Sequence, residues 1–101
     1  MKPWTDYQKD LLAALKNTEE ATAYLNAALE AGDQKAFLLA LRNVLQAQGG
    51  MTRLSRRTKI NRVSLYKMFS KNGNPGFINV VQVLQTAGIY FRMVFKPRKR
   101  S

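Results

Sequence analysis

Arg53, Arg56, Arg57, Arg62, Ser64 and Lys67 crowd into a short stretch that contains no acid. Guanidinium groups at this density do one kind of chemistry well: they neutralise phosphates and, through paired hydrogen bonds, read the edge of guanine. Ser64 can bond to several bases, and Val63 can touch a thymine methyl. Catalysis, by contrast, lacks raw material. The chain has no histidine, no cysteine and no acid beyond Asp33, so acid–base pairs, metal clusters and activated thiols have almost nothing to draw on. Gly49 and Gly73 are too isolated to form a phosphate-cradling loop. The expectation is a binding protein rather than an enzyme, with no cofactor and no metal.

The distribution of charge supports this more strongly than its sum of +11. Asp6, Asp10, Glu19, Glu20, Glu30 and Asp33 are the only acids, and against Lys2, Lys9 and Lys16 they leave the segment from Met1 to Asp33 with net negative charge. Every other lysine and arginine lies from Gln34 onward, where no acid opposes them, and the resulting field attracts polyanions. Duplex nucleic acid is the expected partner; an anionic membrane surface or a merely solvated basic face would carry the same charge. No apolar run is long enough for a membrane span and no secretory leader is visible, which together with the lack of cysteine points to the cytoplasm.

These side chains need helices to hold them. Asn17 and Thr18 before Glu19 and Glu20 form a capping signal, and Ala21, Tyr24, Leu25, Ala28 and Leu29 follow at helical spacing up to Gly32. Asp33 caps a second helix through Phe37, Ala40, Leu41, Val44 and Leu45, stopped by Gly49 and Gly50. Upstream, Tyr7, Leu11, Leu12 and Leu15 mark a further helical segment. Thr52 is a candidate cap for a helix through Thr58, Lys59 and Ile60 turn the chain, and Asn61 caps a short helix through Phe69. That is a helix-turn-helix, with Leu54, Ile60, Leu65 and Met68 facing the core.

In such a unit the second helix enters the major groove, so Arg62, Val63, Ser64 and Lys67 are the candidate base readers. Thr52, Arg53, Arg56, Arg57, Tyr66, Lys71 and Asn72 are the candidate phosphate contacts, although Tyr66 is equally suited to packing on the domain surface. After a turn cluster at 72–76, Phe77, Val80, Val81 and Leu84 predict a last helix ending near Gly88. From Ile89 to Phe95 the period becomes two, which predicts a short strand without a partner in the chain. Pairing with a second copy through Ile89, Tyr90, Phe91, Arg92 and Met93 would make a homodimer. The basic tail from Lys96 either follows the DNA or keeps the chain soluble.

The runs Tyr24-Leu25-Asn26-Ala27-Ala28-Leu29, Gly32-Asp33, Phe37-Leu38-Leu39-Ala40-Leu41, Ala47-Gln48-Gly49-Gly50-Met51, Ser64-Leu65-Tyr66-Lys67 and Gly73-Asn74-Pro75 occur in an order that is similar to the bacterial addiction-module antidote proteins. The chain resembles their HigA-like antitoxins, whose helix-turn-helix is related to the lambda repressor and Cro group; the Pro3-Trp4 start is similar too. The resemblance implies a partner toxin of the RelE or HigB ribonuclease kind, neutralised by this chain, and repression of the operon that encodes both. Such a toxin is itself basic, which makes the acidic segment up to Asp33 the expected toxin-facing surface. Two positions depart from the family pattern, Ser55 replacing alanine and Lys59 replacing the glycine that the turn prefers.

The reading is thus an all-α chain of about five helices around a central helix-turn-helix, with a short C-terminal strand. It divides into an acidic helical segment at 1–33, a DNA-binding domain at 34–95 and a basic tail at 96–101. A stand-alone phage or chromosomal repressor without a toxin is one alternative. An RNA- or protein-binding interaction module is another.

Overall fold

A computed structural model describes residues 4–98, and those residues form six helices: α1 Trp4–Ala14, α2 Thr18–Glu30, α3 Gln34–Ala47, α4 Gly50–Thr58, α5 Arg62–Met68 and α6 Phe77–Thr86. Three of them start where a side chain can answer the free N–H groups of the first turn. The Asn17 carboxamide oxygen accepts from the Glu20 N–H at 3.0 Å. Asp33 accepts from the N–H groups of Lys35 and Ala36 at 3.0 and 3.3 Å. Asn61 accepts from Val63 at 2.7 Å and Ser64 at 3.4 Å, so its side chain is committed to starting α5.

One core runs through the molecule. Leu15, Ala21 and Leu25 from the acidic end share it with Leu41 and Val44 of α3, Leu54 of α4, Leu65 of α5, and Val83 and Leu84 of α6. α1 and α2 pack on α3, and α4 packs on α3, α5 and α6. The buried polar side chain of Asn43 joins three helices: its oxygen accepts from Gln8 at 3.2 Å and its N–H donates to the Tyr24 hydroxyl at 3.0 Å. Gln48 donates to the carbonyls of Leu15 and Lys16 at 2.9 and 3.2 Å and so satisfies the end of the α1 segment. No helix among the described residues is long and apolar enough to cross a membrane.

Four expectations change. The segment around Tyr7 to Leu15 closes into a full helix, giving six helices rather than about five. α4 starts at Gly50, after Gly49 at φ 116° with no side-chain cap, so Thr52 lies inside the helix and does not cap it. In α6 it is Val83 that is fully buried while Phe77 is 64% exposed, so the core face is rotated from the one read through Phe77 and Val81. The expected C-terminal strand is absent among the described residues. The Ile89 N–H donates to the Leu84 carbonyl at 3.0 Å and its side chain joins the core, closing α6. From Tyr90 to Arg98 no described backbone group is paired, because a strand needs a neighbouring strand and six helices supply none. The period-two pattern at 89–95 is real in the sequence but has no ladder to join.

The link from α5 to α6 is tight. Gly73 donates to the Ser70 carbonyl at 2.9 Å, and a Cβ at this position would strike the backbone carbonyls of Lys67 and Met68 at the end of α5.

Candidate nucleic-acid interface

The turn between α4 and α5 is built from hydroxyl groups. Ser55 donates to the Ile60 carbonyl at 2.7 Å. Buried Thr58 donates to the Leu54 carbonyl at 2.9 Å and accepts from the Ile60 N–H at 3.2 Å. Between them Lys59 takes the left-handed conformation, φ 60° and ψ 16°, which costs a residue with a Cβ on the order of 1 kcal/mol. The glycine-preferring turn is therefore present with lysine in it, and Ser55, the other departure from the family pattern, supplies a bond that holds it. Leu54 and Leu65 are buried on either side, and Ile60 and Met68 pack against the same core. The helix pair is fixed from below.

Above that base, Arg62, Val63, Ser64 and Lys67 are all exposed on α5. Arg62, the first residue of the helix, does not wave freely. Its guanidinium donates to the Thr52 hydroxyl at 3.2 Å and lies 5.8 Å from the centre of the Tyr66 ring. Thr52 and Tyr66, candidate phosphate contacts in the sequence, flank this arginine. Arg57, also exposed, donates to the Thr86 carbonyl at 2.9 Å, at the negative end of α6. Arg53 and Arg56 stay exposed on α4, and Lys71 and Asn72 are exposed just past α5. The described chain brings the α4 and α5 candidates onto adjoining helices. It puts the expected dimer residues elsewhere: Ile89 in the core, and Tyr90, Phe91, Arg92 and Met93 exposed beyond α6.

One cation escaped the sequence reading. Arg42 on α3 lines a groove of about 450 Å³ with Gln46, Met51, Tyr66, Phe69 and Ser70, and its Nε is buried without a hydrogen-bond partner. Its signal in the sequence is that it is the sole charge between Ala36 and Ala47. Ser55 and Thr58 carried no such signal, because the bonds they make depend on the shape of the turn.

A family model described as "Probable addiction module antidote protein" matches residues 6–95. The chain belongs to this antidote family. A protein of Haemophilus influenzae, described only as uncharacterized, is 32% identical over 84 residues, which cover 83% of this chain and 86% of the relative. No solved structure matches. An antidote is defined by what it counteracts, so membership implies a toxin partner. The acids are confined to the segment up to Asp33, whereas α4 and α5 carry only cations.

Proposed function

We propose that this antidote neutralises a small basic ribonuclease toxin of the RelE or HigB kind and represses the operon encoding both, acting by binding and not by catalysis. In this reading α4 and α5 form a helix-turn-helix of the lambda repressor kind, and the acidic side of α1 and α2 meets the toxin. The observation that carries the DNA half is the holding of Arg62. A guanidinium placed at the start of α5 between Thr52 and Tyr66 loses less freedom when it bonds a base edge than a loose side chain would. Arg62, Val63, Ser64 and Lys67 read bases, with Arg53, Arg56, Lys71 and Asn72 on phosphates. Two copies act together, because Tyr90, Phe91, Met93, Val94 and Phe95 expose an apolar surface that calls for cover.

The test has two arms. A tagged copy expressed with its neighbouring genes is purified, and the recovered complex is run on its own upstream DNA in a mobility shift. A small co-purifying protein that arrests growth when freed, together with a shift, is expected; a shift with no partner would remove the toxin half. Arg62→Ala is expected to weaken binding to the upstream site more than to random duplex. Equal weakening on both would reassign Arg62 to a phosphate.

A further inference from the structure

We propose that the apolar groove between α2, α3 and α6 is filled by Phe95 of a second copy of this chain, whose own groove takes Phe95 of the first in return; this rests on the reading that two copies act together. The starting point is a hole and a knob carried by one patch. The hole is a groove of about 290 Å³ walled by Leu29 of α2, Phe37 and Leu38 of α3, Pro75, Phe77 and Phe91. The Phe77 and Phe91 rings stand 5.4 Å apart, centre to centre. Gln34 and Asn74 supply the polar lining, and among the described residues no charged side chain lines the groove. The knob lies further along the segment that Phe91 begins to dock, where Met93 and Phe95 are almost wholly exposed.

Phe95 does not fill the groove of its own chain. From Phe91 onward the chain runs to Phe95 without a helix, turn or bend, so it does not fold back on itself, and Phe95 is absent from the groove lining. A second copy supplies the missing ring. A two-fold axis requires a patch that matches itself, and a hole and a knob on one patch meet that requirement, because each copy gives a ring and receives one. Charge favours the same place. Two chains of net charge +11 repel each other, and interface centres are poor in charged residues and rich in aromatic residues and methionine. The area is sufficient as well. Phe77, Tyr90, Phe91, Met93, Val94 and Phe95 together expose on the order of 800 Å², about what one partner contributes to a stable interface of standard size.

The test uses the full chain in sedimentation, where a dimer is expected. Phe95→Ser should raise the dissociation constant on the order of a hundredfold, because one substitution removes two contacts from a symmetric pair. Leu39→Ser, which removes a half-exposed apolar side chain of α3 outside the groove, should leave the dimer at its wild-type strength. Phe95 lies outside the core, so Phe95→Ser should fold as the wild type does. A second readout needs no variant. In a mixture of isotope-labelled and unlabelled wild-type chains, filtered NOE spectra should show the Phe95 ring of one copy against the Phe77 ring of the other.

A dimer indifferent to Phe95→Ser, or a Phe95 ring in contact only with its own chain, overturns the exchange while leaving the two-copy reading intact. A chain that sediments as a monomer overturns both together. If the Phe77 resonances of that monomer then move when the co-purified toxin is added, the groove belongs to the toxin.

Discussion

Asn61 and Ile89 open two segments that end very differently. After Asn61 the chain answers its own needs within a few residues: the cap satisfies two N–H groups, the helix pairs its backbone internally, and Leu65 anchors it in the core. After Ile89 the chain adopts neither helix nor strand, its described backbone groups unpaired, with Met93 99% and Phe95 88% exposed. A helix carries its hydrogen-bond partners with it, whereas an extended segment must find them on another piece of chain. The first region is therefore finished within one molecule. The second joins the fold only near its root, where Ile89 enters the core and the Phe91 ring lies 5.4 Å from that of Phe77.

The contrast can be broken or sharpened by substitution. Leu65→Ala should have the largest effect, about 3 kcal/mol lost in denaturant unfolding, because a fully buried anchor of α5 leaves a cavity. A loss below about 1 kcal/mol would mean that α5 is not held by the core. Ile89→Ala should cost about 2 kcal/mol, whereas Met93→Ser, further along the same segment, should change the monomer by less than about 0.5 kcal/mol. In sedimentation, the same Met93→Ser combined with Phe95→Ser should shift a dimer toward monomer; an unaltered dimer would place the contact elsewhere. Asn61→Ala should cost about 1 kcal/mol through loss of the α5 cap. Smallest, and opposite in sign, Lys59→Gly should raise stability by about 0.5–1 kcal/mol, since glycine takes the left-handed turn without strain even after its larger freedom in the unfolded chain is counted. A drop in the melting temperature would show that the Lys59 side chain contributes more than its backbone costs.

Which parts were legible follows from the same physics. Asn17, Asp33 and Asn61 announce their helices because a cap is a local bond, readable from neighbours in sequence. Leu41, Leu54 and Leu65 are legible as core because each lies on the apolar face of its own helix. Val83 against Phe77 was not, since both are large and apolar and only the position of α4 decides which of them turns inward. The strand misreading has the same origin: alternation of residue types states a preference, and pairing depends on what lies alongside. In the interface, the basic character of α4 and α5 was plain from composition. The bond from Arg62 to Thr52, the bond from Arg57 to Thr86 and the burial of Arg42 Nε all depend on distances between helices.

The close approach of Gly73 to the end of α5 sets how the molecule can tolerate genetic change. Any substitution there adds a Cβ that must push against two main-chain carbonyls, and backbone cannot swing aside as a side chain would. A library randomised at each codon from Ser70 to Gly76 should return a single permitted residue at 73 beside permissive exposed neighbours at Asn72 and Asn74. Insertions should follow the same boundary, rejected between Phe69 and Gly73 where the chain is folded onto the helix end, and accepted between Asn74 and Gly76. The loop length on the α5 side is thus frozen by one missing methyl group, leaving relatives free to diverge in the half that leads into α6.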